Sequence, residues 1–383
     1  KTPADLKKVT DTIVQHIISQ QVVFSAPSIS SEVKKSGELF QAKFENRNNK
    51  EWFGTVIKTT LEVEDGDAKT ETWHAHEQMP SPDDRKLWTA LPGDTSINNF
   101  TKTNVSKISD LFDLQDNQIG EYWRATTGQF GSNTTRCGGA GKDGVIDDED
   151  KGLIEFVRGK DFFDYNGDCN LNEERKGINK ETGLLEKRYL GDIYNSNLLI
   201  LGSPKGSYSD YNKLSEAYFR SKKNYATFAS NNSSRLEVVY GAANNGVFHA
   251  FSSSKQGNYK GGEEIWGFVP PLIIPKIPTI NNASLNDAAG GGTIPKFLLD
   301  GSAVAHDTYF DHPAENKGLG WYTIMMVPYG RAGAGFSVID VTDVEKPNHL
   351  YSILNDASSQ KIFRVDHKGT TYEYVYRTNI ITG

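Results

Sequence analysis

Sulfur is scarce in this chain of 383 residues: Cys137 and Cys169 are its two thiols, beside three methionines. Two cysteines leave room for one disulfide at most, which excludes a fold stapled by several bridges. An even count in a Gly/Asn-rich, Met-poor sequence suits an oxidising compartment and a Cys137–Cys169 bridge, worth roughly 3–4 kcal/mol in the chain-entropy model. The alternative is a pair of free thiols in a cytosolic protein. Long apolar runs are also missing. None approaches the ~20 residues of a membrane helix, and the longest, such as Tyr322–Pro328, have the length of a strand. Lysine and arginine (42) are interspersed with aspartate and glutamate (49) for a net charge of −7, without the basic blocks that mark a nucleic-acid binder. Neither an initiator Met nor a secretory apolar segment follows Lys1, so the chain reads as a processed or trimmed product.

Enzyme motifs are lacking as well. There is no His-Glu-x-x-His zinc pair, no nucleophile elbow and no phosphate loop: Gly138–Asp143 lacks the spacing and the Ser/Thr that would reach a magnesium ion. Gly330–Gly335 precedes a strand rather than opening a helix, which excludes a dinucleotide fingerprint. His249 and His306 fall in strand context, where a hydrogen-bonded structural histidine is expected. Asp300 reads as a turn former. His74 and His76 would share one face of a strand, with no further ligand at metal spacing, and an exposed polar face is expected there.

What the chain has in quantity is glycine (36), tyrosine (17) and phenylalanine (19), a composition of many short strands and tight turns. Residues 236–271 make the clearest unit. Leu236–Tyr240 is a β-branched strand, Gly241–Gly246 an Asn/Gly turn that accepts positive φ, and Val247–Phe251 a second strand; Glu264–Val269 is a third, around Trp266. This is the pattern of one β-propeller blade. Further strands are predicted at Leu39–Phe44, Trp52–Leu61, Lys69–His76, Ile193–Leu201, Lys296–Leu299, Trp321–Val327, Gly335–Val341 and Tyr372–Arg377, with no helix-length pattern after Leu190. Upstream, Thr2–Asp5 is a capping signal for a helix with Leu6, Val9, Ile13 and Ile17 on one face. It reads either as the last helix of an upstream domain or as an amphipathic arm. Short helices are expected at Val105–Leu114 and within Asp143–Arg158, where Asp147–Asp150 favour the helix dipole.

The expected fold is therefore mainly β and β-propeller-like, with an N-terminal helix and a small acidic, helical insertion. The expected segments are a helix over 1–22, a β-rich region over 23–135, the cysteine-bearing insertion over 136–188 and propeller blades over 189–383. Those blades are too few for a closed ring unless earlier strands or a continuation past Gly383 complete it.

The best-specified site is the run from Asp164 to Glu174. Asp164, Asn166, Asp168, Asn170 and Asn172 alternate as oxygen ligands for a hard cation such as Ca2+, with Glu173 following. Cys169 stands where such loops have glycine, and Arg175 where they have a bidentate glutamate, so the loop is noncanonical. The other reading is a solvated Asn/Asp turn.

An ordered set of segments resembles PilY/PilC-type proteins, the tip-associated adhesins and assembly factors of bacterial type IV pili. The set comprises Gly37–Phe44, Trp52–Gly54, Arg85–Thr89, Phe156–Asp161, Gly191–Ser196, Val238–Phe251, Phe297–Ser302, Trp321–Ile324 and Gly335–Thr342. The resemblance implies an extracellular, outer-membrane-associated surface protein, a propeller preceded by a von Willebrand A-like domain, and no catalysis. It further implies contact with minor pilins and with a host or surface receptor, and calcium-dependent control of pilus extension and retraction. Two competing classes are a quinoprotein dehydrogenase, which would need regular Trp-docking repeats where only Trp266 is well placed, and an inert structural stalk.

Overall fold

The structure is a computed structural model, which describes residues 21–22, 28–29, 37–45, 51–62, 68–112, 147–162, 165, 166, 168, 170, 172–179, 183–280 and 294–376. The predicted helix at 2–17 and both cysteines lie outside the described residues.

Three sheets organise these residues. In the first, β1 (Gln21–Val22), β3 (Gly37–Glu45), β4 (Phe53–Glu62) and β5 (Ala68–His74) run antiparallel in that order, and β2 (Ser28–Ile29) also pairs with β3. The second is the unit foreseen around Trp266: β9 (Leu199–Leu201), β10 (Val238–Ala242), β11 (Phe248–Ser252) and β12 (Glu264–Phe268) form an antiparallel meander. The turn between β10 and β11 closes on Gly246, at φ 89°, a conformation that the missing Cβ makes inexpensive. A short strand from far upstream, β6 (Leu87–Trp88), joins the other side of β12 in parallel. The third sheet is a six-stranded meander of β13 (Val304–His312), β14 (Gly318–Pro328), β15 (Ala334–Asp340), β16 (Asn348–Asp356), β17 (Lys361–Val365) and β18 (Thr371–Val375). A small hairpin pairs β7 (Lys176–Ile178) with β8 (Leu185–Lys187).

The period of two along a strand explains how the sheets stack. Every residue of β10, β11 and β12 is buried, so the middle sheet is covered on both faces. Val238, Tyr240 and Ala242 join a core shared with Met325, Val327, Ile339 and Val341 of the third sheet. Val239 and Phe251 instead join Phe40, Ala42, Val56 and Trp73 of the first sheet. Face-to-face stacking of meanders is the way propeller blades bury their apolar surface. Trp266 fastens two of them: it is fully buried, and its Nε1 donates to the Val344 carbonyl beyond β15 at 2.7 Å. The larger core also takes in Leu87 and Phe100 from the upstream segment, Ile108 from α2 (Val105–Phe112), and Leu153, Ile154 and Phe156 from α3 (Asp147–Arg158).

Several expectations need correction. Helices do interrupt the strand-rich half: α4 (Glu216–Lys222) and α5 (Tyr225–Asn231) lie between β9 and β10, with the Ser215 hydroxyl accepting from the Tyr218 amide as N-cap. Of Ile193–Leu201 only the last three residues are strand, and Lys296–Leu299 is irregular. β13, β16 and β17 carry polar and charged residues at most outward positions, which hid them from an apolar count. His74 and His76 are not two positions of one strand. A four-residue helix, α1 (Ala75–Gln78), turns His76 inward, where it is buried against Thr55 Oγ1 at 2.8 Å. Asp300 is more than a turn former: fully buried, it accepts from the Arg331 amide at 2.7 Å and pairs with the Arg331 guanidinium.

Candidate functional site

The acidic loop after α3 is closed at its neck by backbone pairing. The Asp161 amide donates to the Glu173 carbonyl at 3.0 Å, the Arg175 amide to the Gly159 carbonyl at 2.8 Å, and Lys160 and Glu174 form an isolated antiparallel bridge. Gly159 turns the chain out of the helix at φ 120°, against the Tyr189 ring, where a Cβ would come within 2.6 Å of ring carbon. Arg175, at the position where such loops have a glutamate, serves the neck instead. It is buried, stacks 3.8 Å from the Phe156 ring centroid, and donates to the carbonyls of Phe156 at 2.9 Å, Lys160 at 3.2 Å and Arg188 at 2.9 Å. Three carbonyls and an aromatic face satisfy a buried guanidinium well.

Beyond the neck, four of the six predicted ligand residues converge. The Asn166 side-chain amide donates to Asp168 Oδ2 at 3.0 Å and to Glu173 Oε1 at 2.5 Å. Asn170 Nδ2 reaches Glu173 Oε2 at 3.4 Å, and its backbone amide donates to Asp168 Oδ1 at 2.8 Å. One partly positive amide thus sits between two carboxylates, the electrostatic place of a cation. Asn172 is exposed and stands outside this set, and Asp164 lies outside the described residues. Glu173 and Glu174 diverge. Glu174 accepts from the Tyr189 hydroxyl at 2.9 Å and pairs with Lys176 at 3.1 Å, so only Glu173 faces the loop. An all-oxygen set with two carboxylates and two amides fits a hard cation of the Ca2+ type. Among the described residues no group of three or more His, Cys, Asp or Glu side chains is spaced to hold a metal; any such site here depends on the asparagines.

Two buried polar clusters, His249 apart, escaped the sequence reading. In the first, Arg85 and Glu264 are both fully buried and form a two-pronged pair at 2.7 and 2.9 Å, while Arg85 also donates to the Val157 and Arg158 carbonyls. His249 completes it through Nδ1, 2.7 Å from Glu264. Burial works against the Glu264 carboxylate, but Arg85 and His249 hold it down at about 2; burial pushes His249 below its usual value, so the ring is neutral near pH 7. This is the hydrogen-bonded structural histidine expected at position 249. His306 is also hydrogen-bonded, to Glu216 at 2.9 Å, but on the surface. In the second cluster Asn244 of the β10–β11 turn donates to Asp192 Oδ2 at 2.6 Å beside the buried Glu51. Burial raises Asp192 to about 7, with Glu51 and Asp300 adding to the rise. Besides His249 in strand context, the sequence signal was a charged residue inside an apolar segment, as in Arg85-Lys86-Leu87-Trp88.

Stacked antiparallel meanders, a tryptophan tying one to the next and a clamped oxygen-rich loop define a mainly β, propeller-like protein whose buried polar groups serve packing. The profile of a family described as "PilY1 beta-propeller domain" matches residues 190–365. Residues 190–365 are thus similar to the PilY1-type propeller domain. The chain is 32% identical over 154 residues to a type IV pilus biogenesis factor PilY1 homolog of Xylella fastidiosa, covering 40% of this chain and 11% of that protein. It is 24% identical over 364 residues to the type IV pilus biogenesis factor PilY1 of Pseudomonas aeruginosa, covering 92% of this chain and 26% of that protein. The chain thus spans about a quarter or less of the length of these relatives. The crystal structure of the P. aeruginosa PilY1 C-terminal domain aligns at 20% identity and a TM-score of 0.28, covering 47% of this chain and 38% of that one. These relatives are named as biogenesis factors. No described helix is long and apolar enough to cross a membrane.

Proposed function

We propose that this chain is the propeller-bearing part of an extracellular, pilus-tip-associated factor that assists type IV pilus assembly and adhesion, and that Ca2+ bound at the Asn166–Glu173 loop tunes it. The observation that carries the reading is the match of the stacked-blade region, residues 190–365, to the PilY1 propeller profile. The calcium part rests on the convergence of Asn166, Asp168, Asn170 and Glu173 around one amide. Asp168 and Glu173 would supply the charge, and the two asparagines neutral oxygens after their amides turn. Bound Ca2+ would lock the loop over the neck built by Gly159, Asp161 and Arg175. The partners of this reading are minor pilins on one side and a host or surface receptor on the other.

Capture of minor pilins by the purified chain, with and without Ca2+, tests the assembly role; equal failure in both would favour an inert stalk. Calorimetric titration with Ca2+ tests the loop. Saturation at 100 times Kd would stabilise the fold by about 2.7 kcal/mol, and Asp168→Asn with Glu173→Gln should abolish that gain. Absence of any Ca2+-dependent melting shift removes the calcium part and leaves the assembly role to be decided by the capture experiment.

A further inference from the structure

Between β9 and β10 the chain leaves the blades for an excursion, Gly202–Arg235, that ends in α4 and α5. Its outermost residues are held out by local hydrogen bonds. The Asn212 amide donates to Asp210 Oδ1 at 2.9 Å, the Leu214 amide to Asn212 Oδ1 at 3.1 Å, and the Ser215 hydroxyl to the Asn212 carbonyl at 2.8 Å. Two successive side-chain turns of this kind fix the backbone over Asp210–Ser215. The consequence is that Tyr211 is 98% and Leu214 94% exposed. Large apolar side chains are costly to display, and two so complete exposures in one ordered turn call for a reason.

The excursion carries more positive than negative side chains: Lys205, Lys213, Arg220, Lys222, Lys223 and Arg235 against Asp210 and Glu216. Lys213, Lys222 and Lys223 are exposed. Against them stand two acidic side chains of the excursion: Asp210, which accepts from the Asn212 amide and stays exposed and ionised, and Glu216, which pairs with Arg220 at 2.8 Å and His306 at 2.9 Å. On a chain of net charge −7 this is a local basic patch. A residue 98% exposed has no wall beside it, so this surface encloses no small ligand; it has the form to enter something. A partner that is anionic outside and apolar just beneath matches both features, and an anionic lipid bilayer has that profile.

We propose that the Asp210–Lys223 excursion docks on anionic lipid bilayers, with Tyr211 and Leu214 entering the headgroup–acyl boundary and Lys213, Lys222 and Lys223 facing the lipid phosphates. The proposal is independent of the pilus reading and of the calcium loop. α4 holds the two lysines in place from behind: the ring of Phe219 packs on Trp321 at 5.9 Å, and Trp321 Nε1 donates to the Lys223 carbonyl at 2.8 Å.

The test is sedimentation of the whole chain with phosphatidylcholine vesicles, with and without a phosphatidylglycerol fraction. Binding is expected only with phosphatidylglycerol and should weaken as salt rises. Tyr211→Ser with Leu214→Ser should weaken it at least tenfold, and Lys213→Glu, Lys222→Glu and Lys223→Glu together should remove its lipid-charge dependence. All five side chains lie outside the cores, so the Tyr211→Ser, Leu214→Ser variant should keep the wild-type unfolding midpoint. The lysine variant loses the contacts of Lys222 with the Tyr218 ring and Lys223 with the Tyr309 ring, and should stay cooperatively folded with a modestly lower midpoint, which checks the fold of each. Absence of binding to either vesicle overturns the proposal. So does binding that ignores Tyr211 and Leu214, or heparin or single-stranded DNA binding through the same lysines without any vesicle binding, which would mark a general polyanion site.

Discussion

Replacing Glu264 by glutamine removes one charge from a fully enclosed polar cluster. Arg85 then keeps its two bonds to the Val157 and Arg158 carbonyls but loses the carboxylate that neutralises it. Neither side chain is accessible to solvent, so water cannot replace the lost partner. Breaking a buried pair by removing one member costs about 3–5 kcal/mol, because the remaining charge is stranded. Arg85→Met alone strands the Glu264 carboxylate, and with it His249, at a similar cost. In the double variant no charge is stranded, and the combined loss should fall below the sum of the single losses by about 2 kcal/mol or more. Urea unfolding followed by tryptophan fluorescence reads all three. Glu264→Gln within about 1 kcal/mol of wild type, or a strictly additive double variant, would refute the view that this pair is a neutralised unit. The same cluster sets an acid limit. Glu264 is depressed to about 2, so its contribution is whole above the usual carboxylate range and is lost as pH falls towards 2. His249 is held neutral by burial; the unfolded chain takes up a proton below about 6.5, which also favours unfolding in acid.

Three further outcomes are expected. Trp266→Phe keeps a ring in the core but strands the Val344 carbonyl, and should cost about 1–3 kcal/mol in chemical denaturation. Asp192 is raised to about 7, so its protonated form favours the fold. Stability from this group is whole below its unfolded value near 4 and is lost as pH rises through about 7; Asp192→Asn should flatten that window in melting curves across pH. Gly93 and Gly369 both have positive φ, but a Cβ on Gly369 would come within 2.6 Å of the Leu91 carbonyl carbon, whereas at Gly93 nothing lies within 4 Å. Gly93→Ala should therefore cost about 1–2 kcal/mol of backbone strain, and Gly369→Ala measurably more, as read from unfolding midpoints.

Local chemistry made much of this chain legible. The Asn/Gly turn at residues 244–246, flanked by β-branched and aromatic runs, specifies the β10–β11 hairpin within a few residues of chain, because turn geometry and strand alternation are short-range properties. The same holds for α2 and α3, whose apolar spacing is helical. The excursion with α4 and α5 was misread because its two helices are seven residues each and Tyr225 is the single buried side chain in them, so no amphipathic face announces it; Ser215 as N-cap was the available signal. Pairing across long stretches of chain was decided by tertiary structure alone. Trp88 meets Phe268 in parallel register, and Arg85 finds Glu264 179 residues away. Neither pairing leaves a local trace, since the partner is chosen by which faces are left to bury and not by neighbouring residues. The two-sided burial of β10 is of the same kind: alternation sends Val238 and Val239 to opposite faces, and only the stacking of three sheets makes both faces a core.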